Sequence, residues 1–472
     1  MNKKLLISVA ALIVSTSTFA GGILTNTNQN ASYLRNPARD AVIAIDGVYS
    51  NPAGIAFLPE GFHFSLSWQA AWQKRELNAT NKLFMMNSNT LSANRQFMGE
   101  ATAPVIPSFQ AAYVFNDKWS VSAQFAIGGG GGKCEFKNGL PMFEELIGGK
   151  LYGAQATSYS LNQNLTGEQY FYGIQVGGTY KVTDKVSVFG GLRGVIANCS
   201  YVGQISNMKA GGLLTGNQIV SGANYLNEVA KYMNNIGDQT AAATAQAGAY
   251  LMSQDLILDC SQNGFGITPI IGVDVNLGNL NLAAKYEFRT KIALENESNN
   301  SDNLAALATQ VPAVAVYANK AEVRSDIPAL LTLGAQYSFP SVRIGAGFHY
   351  YWDKDARAGL PKENKYAINY GDNTWEALLG VEWDTTDKLT LSCGGYRTQY
   401  GFDDADMTDT GFNVSSYGLC LGGAYKINDM LKINAGYMHS FYDDHKFTND
   451  KGTACNYTRK NDVVGVSLDF KF

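Results

Sequence analysis

The sequence predicts an all-β protein: a 14-stranded antiparallel transmembrane β-barrel with an N-terminal segment folded into its lumen. Three observations predict it. The chain ends in a strictly alternating strand, Val463 to Phe472, that stops on an aromatic. Short turn clusters and long polar connections take turns along its length. A long irregular segment precedes the first strand.

In the terminal stretch, Val464, Val466, Leu468, Phe470 and Phe472 share one face, and Val463, Gly465, Ser467, Asp469 and Lys471 share the other. Period-2 alternation marks a strand with one apolar and one wet face. A chain that ends on an outward Phe suits a bilayer better than water. It is similar to the last strand of bacterial outer-membrane barrels, and that likeness implies recognition of the terminal aromatic by the barrel-assembly machinery.

The N-terminus agrees with export. Lys3 and Lys4 precede the apolar run Leu5 to Val14, followed by Thr18-Phe19-Ala20. This reads as a signal peptide over residues 1–20, cut before Gly21. The run falls short of the ~20 apolar residues a spanning helix needs, and without a Cys after the cut a lipid anchor is not expected. Gly, Tyr and Phe number 49, 26 and 23 of 472, against 16% charged residues. Aromatics suit interfacial girdles and Gly suits close-packed barrel strands. A net charge of −4 gives no basis for a nucleic-acid partner.

Cys134, Cys199, Cys260, Cys393, Cys420 and Cys455 show no C-x-x-C spacing, so zinc is not expected. Parity puts Cys393 toward lipid and Cys420 inward. Free thiols are the expectation, with one bridge among Cys134, Cys260 and Cys455 left open.

Tight turns are read at Asn116-Asp117-Lys118, Thr183-Asp184-Lys185, Gly278-Asn279, Pro340-Ser341, Thr386-Asp387-Lys388 and Asn428-Asp429. Between them lie polar connections at 76–104, 129–166, 204–263, 298–321, 354–372, 401–412 and 444–455. Short periplasmic turns and long external loops are the barrel pattern, and the even strand count follows. The strands are expected over 61–75, 105–115, 119–128, 167–182, 186–203, 264–277, 280–297, 322–339, 342–353, 373–385, 389–400, 413–427, 430–443 and 456–472. Charges belong on the inner face, because a basic residue facing lipid at mid-depth costs about 2–4 kcal/mol. Within the loop 204–263, residues 222–253 carry Tyr225, Val229, Tyr232, Met233 and Ile236 at helical spacing and predict a partly helical external loop.

Residues 21–60 form the third unit, a hatch or plug ahead of the barrel, 61–472. They are irregular, with Asn36-Pro37 and Asn51-Pro52, and long enough to fold back into the lumen. The stretch Asp46-Gly47-Val48-Tyr49-Ser50-Asn51-Pro52-Ala53-Gly54-Ile55-Ala56-Phe57-Leu58 resembles the hatch of the FadL family, outer-membrane transporters of long-chain fatty acids and other hydrocarbons. Asn51, Pro52 and Ala53 are its specific core. Ile106-Pro107 with Ala111 to Ala126, Ile327-Pro328-Ala329 into Gln336-Tyr337, and Gly436-Tyr437-Met438-His439 also resemble family strands.

The resemblance implies passive uptake of an amphipathic molecule, captured outside and released sideways through the wall beside the hatch. It needs no cofactor or nucleotide. It implies a kink at Gly128, within Gly128 to Gly132, although those glycines also suit a flexible loop. It brings Ile23 to the pocket, where the family commonly has an aromatic. A carboxylate substrate would want an inward cation. Arg193, Lys285 and Arg343 have that parity, and an internal charge network is their other reading. The implied partners are a long-chain fatty acid or similar hydrophobic molecule and outer-membrane lipid, in a Gram-negative outer membrane.

Rival readings are a general diffusion porin, an outer-membrane enzyme and a surface receptor. The four histidines, His63, His349, His439 and His445, sit in no G-x-S-x-G or H-E-x-x-H setting, so no catalytic residue is assigned.

Overall fold

The computed structural model describes residues 29–299, 316–361 and 372–472. The predicted leader and Ile23 lie outside them. One continuous sheet closes on itself. Its 14 strands begin with β1 Gly61–Thr80, β2 Asn94–Val114, β3 Trp119–Phe136, β4 Ser158–Thr183 and β5 Val186–Gly211. They continue as β6 Leu256–Asn276, β7 in two pieces (Leu280–Glu287 and Ala293–Ser298) and β8 in two pieces (Glu322–Ser325 and Leu330–Ser338). The rest are β9 Val342–Tyr351, β10 Thr374–Asp384, β11 Leu389–Gln399, β12 Ser416–Lys426, β13 Leu431–Tyr442 and β14 Ala454–Lys471.

Closure comes from β1 pairing antiparallel with both β2 and β14. Phe62 and Phe472 exchange backbone hydrogen bonds of 3.2 and 2.9 Å, so the last residue seals the first strand. Gly61 there takes φ +117° with the Phe472 carbonyl against its α-carbon, a place only glycine fits. A closed ring leaves no strand edge for lipid to strand without partners.

Exposed Leu66, Trp68 and Trp72 on β1, Ile267 and Ile271 on β6, and Leu419 and Leu421 on β12 belong to the lipid belt. Tyr113, Phe115, Trp119, Tyr337, Phe339, Trp383 and Tyr425 ring the short-turn end. Phe288, Tyr417 and Phe441 are exposed toward the other end. The 10 residues of β9, at about 3.3 Å each and tilted by about 40°, cover a band of about 25 Å.

Several predicted boundaries move. Strands β1 to β6 run past their expected outer ends, because polar segments such as Asn94 to Gly99 still pair with Arg75 to Thr80 above the membrane. β7 and β8 are each interrupted, around residues 288–292 and 326–329, where Pro328 cannot donate to a ladder. The connection 129–166 contains a helix, α1 Pro141–Gly153, whose Met142, Phe143, Leu146, Ile147 and Leu151 are buried under the external loops. Two further helices, α2 Gly222–Asn235 and α3 Gln239–Leu251, occupy the 204–263 loop. All six thiols are free; Cys393 is exposed on the outer wall and Cys420 buried.

Candidate functional site

The segment from Gln29 to the start of β1 runs through the lumen. A short helix at Ala31–Arg35 is capped by Asn30, and a 3-10 turn at Pro52–Phe57 is capped by Asn51. Asn51 explains the Asn-Pro-Ala core. Its Oδ1 accepts from Gly54 N at 3.3 Å while its Nδ2 donates to Asp274 on β6 at 2.5 Å. Pro52 stands where no N–H is needed. The Pro52 carbonyl accepts from Thr179 at 2.9 Å and the Ala53 carbonyl from Ser187 at 2.7 Å.

Two kinds of contact seat this segment. Along β1 to β7 polar wall residues hold its backbone: Ser67 accepts from Ala31 N, Gln175 donates to the Val48 carbonyl, and Asn281 donates to the Ala41 carbonyl. Along β8 to β14 the wall turns to glycine. A side-chain carbon on Gly347 would overlap Asp40, one on Gly380 would overlap Asn36, and one on Gly436 would meet Leu34 and Arg35. Missing β-carbons let the segment lie directly on the wall.

Buried ion pairs complete the seating. Glu382 accepts from Arg35 at 2.7 Å, Arg39 at 3.1 Å and Arg343 at 3.0 Å. Arg39 also forks onto Asp46 at 2.7 and 2.8 Å. Burial pushes the Asp46 carboxyl up, but Arg39 outweighs it and holds the group below the usual carboxylate range. His349 bridges Asp40 and Glu376 at 3.1 and 3.0 Å. The cavity left beside Tyr33, Asp40, Tyr49 and His349 is about 30 Å³, room for no more than a couple of waters. At this level the lumen is plugged.

The three expected basic residues lie inside and are committed to this network. Arg193 reaches Glu287 at 2.6 Å, and Lys285 reaches Glu287 and the Tyr49 carbonyl, each at 2.8 Å. Their cations flank the Tyr49 ring at 5.1 and 4.3 Å. Arg343 also pairs with Asp384 at 2.5 Å.

One stretch of wall is unzipped. β2 and β3 pair from Val114–Ser120 up to Ser108–Ala126, and again from Ala101–Cys134, with no pair between. On the β4 side, β3 shifts register between Ile127 and Gly129 and between Gly129 and Gly132, so Gly128 is the extra residue of the first bulge. Gly128 keeps an ordinary backbone, whereas Gly130 and Gly132 take φ +99° and +64°. A side chain on Gly130 would strike the Gln169 carbonyl. Pro104 and Pro107 occupy the opposite edge and carry no N–H to leave unpaired; the Pro104 carbonyl accepts from Trp68 Nε1 at 3.1 Å. Directly below the gap, Ser108 donates to the Gln29 carbonyl at 2.5 Å.

Above lies an apolar cluster of Phe84, Phe97, Phe136, Phe143, Ile147 and Phe412, roofed by α1. Sequence reasoning read α1 as connection, because its apolar residues line no single face. Among the described residues, no group of three His, Cys, Asp or Glu side chains is placed to hold a metal.

No family model and no curated protein sequence matches the chain. Solved structures do. A FadL homologue of Pseudomonas aeruginosa superposes with a TM-score of 0.63 at 15% identity, over 96% of this chain and 100% of that one. The toluene transporter TodX of P. putida gives 0.57 at 14% identity, over 91% and 94%. The toluene transporter TbuX of Ralstonia pickettii gives 0.52 at 14% identity, over 95% and 99%. With its closed ring, apolar outer belt and an N-terminal segment inside the lumen, the chain shares the fold of these FadL-type β-barrels.

Proposed function

We propose that this protein is a channel for passive uptake of hydrophobic small molecules, long-chain fatty acids among them, with sideways release through the wall between β2 and β3. The unpaired stretch beside the plug carries the reading. Beside Tyr33, Tyr49 and His349 the plug leaves about 30 Å³, which disfavours an axial path at that level, while a cavity of about 400 Å³ opens beside Arg39, Arg343 and Glu382; the register break lies at the height where the plug begins. A molecule leaving sideways never exposes its tail to water, and each CH₂ kept from water is worth about 0.8 kcal/mol. The solved neighbours named as toluene transporters and as a FadL homologue support the substrate class. The plug disfavours a general porin.

A reversible cross-link tests the route. A β-carbon on Gly132 would sit 3.7 Å from that of Ala103, close to disulfide spacing. In a Cys134→Ala background, Ala103→Cys with Gly132→Cys should lose uptake of a labelled fatty acid when oxidised and recover it on reduction. Uptake indifferent to the cross-link overturns sideways release. Large, steady single-channel openings in the unmodified protein would favour the porin instead.

A further inference from the structure

Arg397, Tyr417, Phe441, Lys460 and Lys74 stand side by side on the outer wall. They are successive register partners on β11, β12, β13, β14 and β1. All five face outward by parity, and none is buried. At about 4.8 Å from strand to strand, the row is about 19 Å long.

The height of the row decides what it meets. Lys74 stands twelve residues above Phe62, an exposed aromatic at the short-turn end. At about 3.3 Å per residue and a tilt of about 40°, that is about 30 Å, just past an apolar band of about 25 Å. Trp72, one layer down, is exposed, as are Leu419, Leu421 and Val466 beneath the row. The row therefore lies at lipid head-group level on the long-loop side, with apolar wall under it.

Cations hold both ends of the row and aromatics its middle. Tyr417 and Phe441 stack at 5.3 Å with 19° between their planes, and offer a flat apolar face. At one end Arg397 spends Nη2 on Asp443 and Gln399, at 2.8 and 2.9 Å, and keeps the rest of its fork free. At the other end Lys460 and Lys74 oppose each other directly, where like charges are destabilising. Lys460 reaches Glu76 at 3.3 Å. Lys74 is the register partner of Glu100 on β2, yet has no carboxylate within ion-pair distance among the described residues. Just below, Asp462 is spent on His439 and Tyr437, at 2.7 and 2.6 Å. Exposed ion pairs such as those of Arg397 and Lys460 are weak, so a phosphate can compete for the cations.

We propose that this row docks a phosphorylated glycolipid of the outer leaflet, with a phosphate at each end of a disaccharide and its acyl chains on the apolar wall beneath. Arg397 takes one phosphate in its fork, and Lys460 and Lys74 share the other. The sugar lays its C–H face on Tyr417 and Phe441. An anion between Lys460 and Lys74 turns their repulsion into a shared attraction. The site is independent of what the channel carries and rests only on the barrel sitting in an outer membrane.

The test uses the full-length protein, delipidated in a non-ionic detergent and read by native mass spectrometry. The probes are diphosphoryl lipid A, its monophosphoryl form and phosphatidylglycerol. Diphosphoryl lipid A should bind about tenfold or more tightly than phosphatidylglycerol, with the monophosphoryl form between them. Lys74→Gln, Lys460→Gln and Arg397→Gln together should erase that order. Lys185→Gln, Lys388→Gln and Lys426→Gln together remove the same charge from exposed positions at the short-turn end and should leave the order intact. Arg397→Gln alone should bring diphosphoryl lipid A down to the monophosphoryl level, and decides the matter if the first triple variant does not fold. Equal binding of diphosphoryl lipid A and phosphatidylglycerol by the unmodified protein, or an order that survives the first triple variant, overturns the docking site. Loss of the order in both triple variants shows bulk charge at work and overturns it as well.

Discussion

Asn51 donates to Asp274 at 2.5 Å, and this one contact joins the plug to β6 while the same side chain caps the turn that follows it. Asp274 is buried, and its other hydrogen-bonded partner is Asn281 at 2.8 Å. Asn51→Ala removes a cap worth about 0.5–2 kcal/mol and strips a buried carboxylate of a donor. The expected result is a loosened plug in an intact barrel. Single-channel recording should show added leak, with heat-modified electrophoretic mobility unchanged.

Gly380 faces Asn36 so closely that no β-carbon fits between them. Gly380→Val should push the plug off the β10 wall and raise sensitivity to large antibiotics. Gly190 has open space where a β-carbon would go. Gly190→Ala should leave permeability unchanged, which separates loss of seating from a general cost of filling glycines.

Glu382 is the carboxylate shared by Arg35, Arg39 and Arg343. Glu382→Gln keeps the shape and removes the charge that three cations need. Breaking a buried pair from one side costs about 3–5 kcal/mol. Urea unfolding followed by tryptophan fluorescence should show a loss of that order, and a smaller one for Asp384→Asn, whose side chain is a third exposed.

Asp409 ties the loop after β11 to Met142 N of α1 and to Tyr457 of β14. Burial, with Glu145 nearby, pushes its carboxyl from an ordinary 3.8 up to about 7. The folded form therefore holds a proton that the unfolded form releases between those values. Its stabilisation is complete below about pH 4 and is lost as pH rises through about 7. Hydrogen-exchange protection of α1 should be greater at pH 5.5 than at 7.5. Asp409→Asn should flatten that difference.

Much of the barrel could be read directly. A strand that must turn one face to lipid carries its orientation in every second residue, so Arg193, Lys285 and Arg343 were placed inward by parity. Most of their partners were not legible. Glu287 lies two residues from Lys285 on β7, but its pairing with Arg193 of β5, like that of Glu382 with Arg343, depends on stagger between strands. Lys74 and Lys460 went unread for the same reason. Each has outward parity, yet only closure of β1 onto β14, from opposite ends of the chain, sets two cations side by side.

By itself the sequence determined the topology: fourteen strands, short turns at one end, long loops at the other, and an irregular segment ahead of them. Those features are local, set by period-2 alternation and turn chemistry. The tertiary structure alone decided where the wall comes unzipped, that Gly130 and Gly132 hold the positive-φ positions while Gly128 is the bulged residue, and which luminal charges are neutralised. Backbone pairing and ion pairing join residues distant in the chain, and local pattern carries no record of their register.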